Sequence, residues 1–295
     1  MIRRIFLISI GIIPLFVYAV SIDRFADTPN RLDFVVQPAK VEVSLYPGEK
    51  RMRNIYITNR LGERASFNVS IESFAASRDP RGGVILGESP APSFVAVSDR
   101  TFVLSQGERA EVPVTIAVPR GTDPGGQFFA VVVSGSSEHK ISGAAHITSR
   151  VAALFFVRIE GVMHEAGILN DFSYRDGFFE ILFENTGTVH INPYGVITIH
   201  RWWRGDATIF VDPWFVLPGS SRIRAVALPI NLGWGRYTAT LLMNRGYHNV
   251  VDTKEIVFWI LPKGLELVVG VVGILLATIF IVAMIKRIKR YATKH

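Results

Sequence analysis

The chain has 295 residues, 49% of them hydrophobic and 19% charged, and its 32 Lys and Arg exceed its 25 Asp and Glu to give a formal charge of +7. Seven of those cations (Arg3, Arg4, Lys286, Arg287, Lys289, Arg290 and Lys294) lie at the two ends, and the other 25 balance the 25 acids, so the excess is a topology signal and excludes a nucleic-acid binder. No cysteine occurs, which excludes a disulfide framework and a thiolate metal site.

At the start, Arg3 and Arg4 lead into an apolar stretch from Ile5 to Val20. Val17 and Ala19 place small residues where a signal peptidase reads them, so residues 1–20 are expected to be a signal peptide or a retained N-terminal anchor. Either reading exports the chain beyond Val20. A short polar spacer with Asp27, Thr28, Pro29 and Asn30 comes next.

From residue 33 the pattern alternates with period two between turn residues. Phe34 and Val36, then Val41, Val43 and Leu45, flank Pro38, and Tyr46-Pro47-Gly48-Glu49 makes a turn. Ile55 and Ile57 run to Asn59, and Phe67, Val69 and Ile71 come after a turn at Gly62. Such runs predict short antiparallel strands with one face in a core. Residues 75–98 are expected to be a poorly patterned insertion. Strands resume at Thr101–Leu104 and Ala110–Val118; Phe128–Val133 is apolar on both faces, as a central strand would be, and Arg150–Arg158 closes the unit. Ser134–Gly143 reads as an exposed loop. The spacing predicts an immunoglobulin-like β-sandwich over 33–158.

A second such sandwich is expected over 163–261, because parts of the first recur. Phe102-Val103-Leu104 with Gly107 is echoed by Phe215-Val216-Leu217 with Gly219, and Ile57-Thr58-Asn59 by Phe183-Glu184-Asn185. Each asparagine ends a strand where its side chain can cap the adjoining turn. The last strand, Lys254–Leu261, leads into the uncharged run Leu267–Ile285 and its cationic flank. A run of about twenty apolar residues is long enough for a bilayer. A single transmembrane helix is therefore expected over 265–285, with a basic cytoplasmic tail over 286–295, a cell-membrane location, and both domains outside the cytoplasm.

Enzymatic patterns are missing. The seven histidines form no HxxxH or HExxH spacing, no serine stands in a Gly-x-Ser-x-Gly elbow, and no DxDxDG calcium spacing occurs. Gly125-Gly126 lacks the partners of a phosphate loop, so no cofactor is expected. His190 and His200 could meet across a sheet or be ordinary strand residues. Arg204-Gly205-Asp206 reads as a hairpin turn. The stretch with most weight is Arg201, Trp202, Trp203 and Arg204, with Trp214 after it. An exposed tip would make these five residues a partner contact or a carbohydrate platform. Inward tryptophans would instead plug the sandwich end, and a lipid-facing rim is the third reading.

Val36-Gln37-Pro38-Ala39-Lys40, Tyr46-Pro47-Gly48-Glu49, Pro124-Gly125-Gly126-Gln127-Phe128 and Glu184-Asn185-Thr186-Gly187, ahead of a final apolar run with a basic tail, resemble the bacterial WxL-interacting surface proteins. That resemblance implies tandem immunoglobulin-like domains, a C-terminal anchor, and binding of another envelope protein or of peptidoglycan. The Pro-Gly strand signature is also similar to that of pilus-assembly chaperones. The leading expectation is a non-catalytic, membrane-anchored surface binder. The alternative is a structural or assembly subunit of a secretion or surface-appendage complex.

Overall fold

A computed structural model describes residues 20–24, 29–137, 149–201, 204–228, 232–262 and 273–285. In the first part of the chain the strands are β1 (Ser21–Arg24), β2 (Asp33–Gln37), β3 (Lys40–Leu45), β4 (Lys50–Arg60), β5 (Ala65–Ala76), β6 (Val84–Leu86), β7 (Val95–Val97), β8 (Thr101–Leu104), β9 (Glu108–Ala117), β10 (Gly125–Ser137) and β11 (Ser149–Ile159). Then come β12 (Gly167–Arg175), β13 (Phe178–Asn185), β14 (Tyr194–Arg201), β15 (Arg204–Val211), β16 (Ser220–Ala227), β17 (Gly235–Asn244) and β18 (Val251–Ile260). The insertion expected over 75–98 contributes β6 and β7, strands too short to show a period.

The strands fall into two compact units. One takes in the chain up to Gly167 together with Asn185–Ile191 and Val216–Arg222; the other takes Ile168–Glu184, Asn192–Phe215 and the chain from Ile223. In the first unit, one sheet runs β1-β9-β4-β2 with β7 also on β9, and the second runs β3-β11-β10-β5-β6 with β8 also on β5. Alternation decides which residues face inward. Val41, Val43 and Leu45 of β3 are buried while Lys40, Glu42 and Ser44 between them are exposed. Phe34 meets Phe67 edge-on at 5.3 Å and Phe129 stacks on Phe155 at 4.9 Å, filling the space between the sheets with aromatic area. At the cis Gln37–Pro38 bond the chain leaves one sheet, where β2 pairs antiparallel with β4, and enters the other, where β3 pairs parallel with β11.

In the second unit the sheets are β12-β13-β16 and β15-β14-β17-β18. Phe179 and Ile181 of β13, Ile197 and Ile199 of β14, Leu241 and Met243 of β17, and Phe258 of β18 are buried. Phe258 packs on Phe179 at 5.4 Å and on Tyr174 at 4.4 Å.

Two asparagines reproduce one another bond for bond. The Asn59 Nδ2 group donates to Glu63 O and Leu104 O, both at 2.8 Å, while Asn59 Oδ1 accepts from Leu61 N at 2.9 Å. Asn185 Nδ2 donates to Val189 O and Val216 O at 2.8 Å, and its Oδ1 accepts from Gly187 N at 2.9 Å. Their own carbonyls accept from Gly107 N and Gly219 N, both at 2.9 Å. Each carboxamide thus caps its own turn and also ties that turn to the echo segment expected from the sequence.

The C-terminal run gives an α-helix, α1, over 273–285. Among the described residues no helix is long and apolar enough to cross a membrane. This corrects the fold expected over 265–285: among the described residues the single transmembrane helix is not found, and the bilayer partner and single-pass cell-membrane location expected from it lose that support. The expected N-terminal segment, apart from Val20, and the basic tail over 286–295 lie outside the described residues.

Candidate functional site

The tryptophan hairpin is formed by β14 and β15, whose register breaks at a bulge between Ile199 and Arg201 before Arg201 pairs with Arg204. Trp202 and Trp203, at the tip, lie outside the described residues. Arg204, Gly205 and Asp206 belong to β15 and not to the turn between the strands. Arg201 Nε donates to Gly205 O at 2.9 Å, which fixes its guanidinium beside the tip. Trp214 is buried at 5% exposure, and its Nε1 has no hydrogen-bond partner. It therefore lends the unit apolar volume and does not present a face.

Arg201 does border an open hollow of about 870 Å³, with His200, Trp234, Arg236 and Thr238 as further walls and Gly233 and Gly235 at its rim. His200 and Thr238 are cross-strand neighbours, and Arg236 stands opposite Trp259 on β18. Trp234 is 75% exposed and Trp259 61% exposed. Tyr237, buried beneath, donates its hydroxyl to Gly233 O at 2.8 Å and holds the loop carrying Trp234. No sequence pattern marks Trp234 and Trp259 as a pair, since only the β17–β18 register sets them around Arg236. Further along the same sheet, Tyr194, Val196, Phe210, Leu242 and Val251 line a second, apolar hollow of about 540 Å³.

His190 and His200 have separate partners. His200 Nδ1 lies 3.0 Å from Asp206 Oδ2. His190 is 8% exposed, its Nε2 3.7 Å from Glu42 Oε1 and its ring 4.9 Å from Phe156 and 5.9 Å from Phe128. Burial lowers the imidazole to about 4; Glu42 opposes that shift, and Lys40 and Arg158 reinforce it. Among the described residues no group of three or more His, Asp or Glu could hold a metal ion.

The strand edges differ in how well they are protected. β3 pairs with β11 only over Leu154–Ile159, whereas β10 pairs with β11 as far as Ser149. Among the described residues no strand lies against Ser149–Ala153 on the side away from β10. Leu154 N donates to Ala39 O at 2.9 Å, toward β3. Backbone groups alternate sides along a strand, so Arg150 and Ala152 present theirs to the open side. Some other edges carry polar guards, although among the described residues β4 is also uncovered over Lys50–Ile55, beyond its pairing with β2. On β18, Asp252 takes a bidentate ion pair from Arg245 and Lys254 Nζ reaches Asn170 O, the polar contacts that blunt an edge against strange strands. β2 is short and ends before Pro38. β15 opens with Arg204, Gly205 and Asp206.

No family model matches the chain, and no curated protein matches it. Solved structures do resemble it distantly. The class 5 fimbriae chaperone CfaA is 10% identical, covering 78% of this chain and 100% of that one at a TM-score of 0.40. The CsuC–CsuE chaperone–tip adhesion subunit complex of Acinetobacter baumannii pili is 13% identical, covering 76% and 98% at 0.41. The Escherichia coli chaperone DraB is 14% identical, covering 77% and 97% at 0.39. These values are too low to say what this chain binds. They do correct the expected resemblance, since the similar structures are named for fimbrial chaperones and not for WxL-interacting surface proteins. The membrane-anchored surface binder expected from the sequence is thus corrected: among the described residues no helix is long and apolar enough to anchor it.

Proposed function

We propose that this chain is a non-catalytic assembly protein of the cell envelope that binds a β-rich protein subunit of a surface appendage or secretion complex by strand pairing. The open edge of β11 at Ser149–Ala153 is the observation that supports it, and the low-scoring likeness to fimbrial chaperones is not. An unpaired edge offers main-chain hydrogen bonds for affinity and alternate side chains for specificity. Here Val151 and Ala153 face the core while Arg150, held by Glu72 at 2.5 Å, and Ala152 face outward. None is a proline or an inward charge, the features by which an edge refuses an added strand.

Changing Ala152 to proline removes an open-side N–H and leaves the β10 ladder its bonds, a change that edge strands tolerate. A photo-crosslinker at Arg150 in cells is expected to yield an adduct with an envelope protein. The Ala152→Pro variant, with an unchanged melting curve, is expected to lose at least about nine-tenths of that adduct, the loss that one missing main-chain bond of about 1.4 kcal/mol produces. A crosslinker at Glu255 on guarded β18 is the control. Undiminished adduct in the folded proline variant, or equal adducts from both sites, defeats the reading.

A further inference from the structure

We propose that the hollow bounded by Arg201, Trp234 and Arg236 is a binding site for a carboxylate-bearing peptide segment, separate from the β11 edge. Its charge argues for this. Two guanidinium groups border it, no Asp or Glu is among its described lining residues, and the neighbouring Asp206 is engaged with His200 at 3.0 Å. Arg201 uses its Nε on Gly205 O, which orients the planar group and leaves the fork of its terminal nitrogens for an anion. Arg236 stands two residues after the exposed Trp234 and opposite the exposed Trp259 across the strand pair. Arginine with tryptophan is the pairing that dominates protein-binding hot spots.

The walls are set in advance. The Tyr237 hydroxyl pins Gly233 O, so the loop bearing Trp234 is held before any partner arrives, and a site held in its bound form loses less entropy on binding. A volume of about 870 Å³ is at the upper end for a ligand cleft and admits several residues of extended chain. The exposed indole of Trp234 favours an apolar or aromatic residue beside the carboxylate, which distinguishes a peptide from a simple anion.

The purified full-length chain can be titrated into fluorescein-labelled Gly-Asp-Glu-Phe-Asp-Glu and into the amide counterpart Gly-Asn-Gln-Phe-Asn-Gln, with anisotropy as the readout. The acidic peptide is expected to bind at least about tenfold more tightly, and less tightly as salt rises. Arg236→Glu and Trp234→Ala, both at exposed positions and checked for an unchanged melting curve, are each expected to weaken it about tenfold, and Ala152→Pro to leave it unaltered. Equal binding of the two peptides, or wild-type binding by both variants, overturns the proposal. So does Arg236-dependent binding to vesicles of anionic phospholipid without binding of the peptide, which would assign the hollow to a lipid headgroup.

Discussion

Replacing Asn185 with alanine is expected to destabilise the protein by about 3 kcal/mol, as read from urea midpoints at constant m-value. The carboxamide is fully buried and holds three backbone groups: the Val189 and Val216 carbonyls and the Gly187 N–H. Alanine leaves all three in a dry interior, and each orphaned group costs about 1–3 kcal/mol, partly recovered by relaxation. Asn185→Asp is the sharper comparison. It keeps the acceptor for Gly187 but sets a carboxylate oxygen against two carbonyls, so it is expected to cost at least as much. Asn59→Ala should match Asn185→Ala to within about 1 kcal/mol, because the bonds correspond one to one. A loss below about 1 kcal/mol in both alanine variants contradicts this account.

Acid is expected to weaken the first unit through His190. Its folded value of about 4 lies below the ordinary 6.5, so between those values the unfolded chain binds more protons than the folded one. The contribution of the neutral imidazole is complete above pH 6.5 and is lost as the pH falls toward 4. The linked loss is about 2 kcal/mol by pH 5 and about 3 kcal/mol near pH 4. His190→Phe suits the aromatic neighbours Phe128 and Phe156 and cannot titrate. The wild-type urea midpoint should therefore fall relative to that of the variant as the pH drops from 7 to 5. Parallel midpoint curves for wild type and variant would show that protonation of this ring plays no part.

Much of the strand pattern was legible because it rests on local rules. Val41, Val43 and Leu45 alternate visibly, Gly48 and Gly107 mark turns, and β10 reads as central because Ala130 and Val132 are as apolar as their inward neighbours. Asn59 and Asn185 were legible as turn caps, and the Phe102 and Phe215 segments as echoes. That each carboxamide joins cap to echo was not, because such a bond spans 45 or 31 residues and leaves no local period. The hairpin was legible as a pair of strands, but alternation alone could not show Trp214 inside. Trp234 and Trp259 were not legible as a pair, because only register sets Trp259 opposite Arg236, two residues past Trp234. The apolar run over 265–285 satisfied a length rule, yet among the described residues no helix is long and apolar enough to cross a membrane.

The crossing of β2 into β3 works like a slide fastener with its pull at Pro38. Where β3 begins decides how much of β11 stays uncovered: Ser149–Ala153 now, and the whole strand to Ile159 were Lys40–Leu45 unzipped. An invading strand that started at the open end would lengthen its own ladder with every residue of β3 it displaced, trading one neighbour for another without passing through bare backbone.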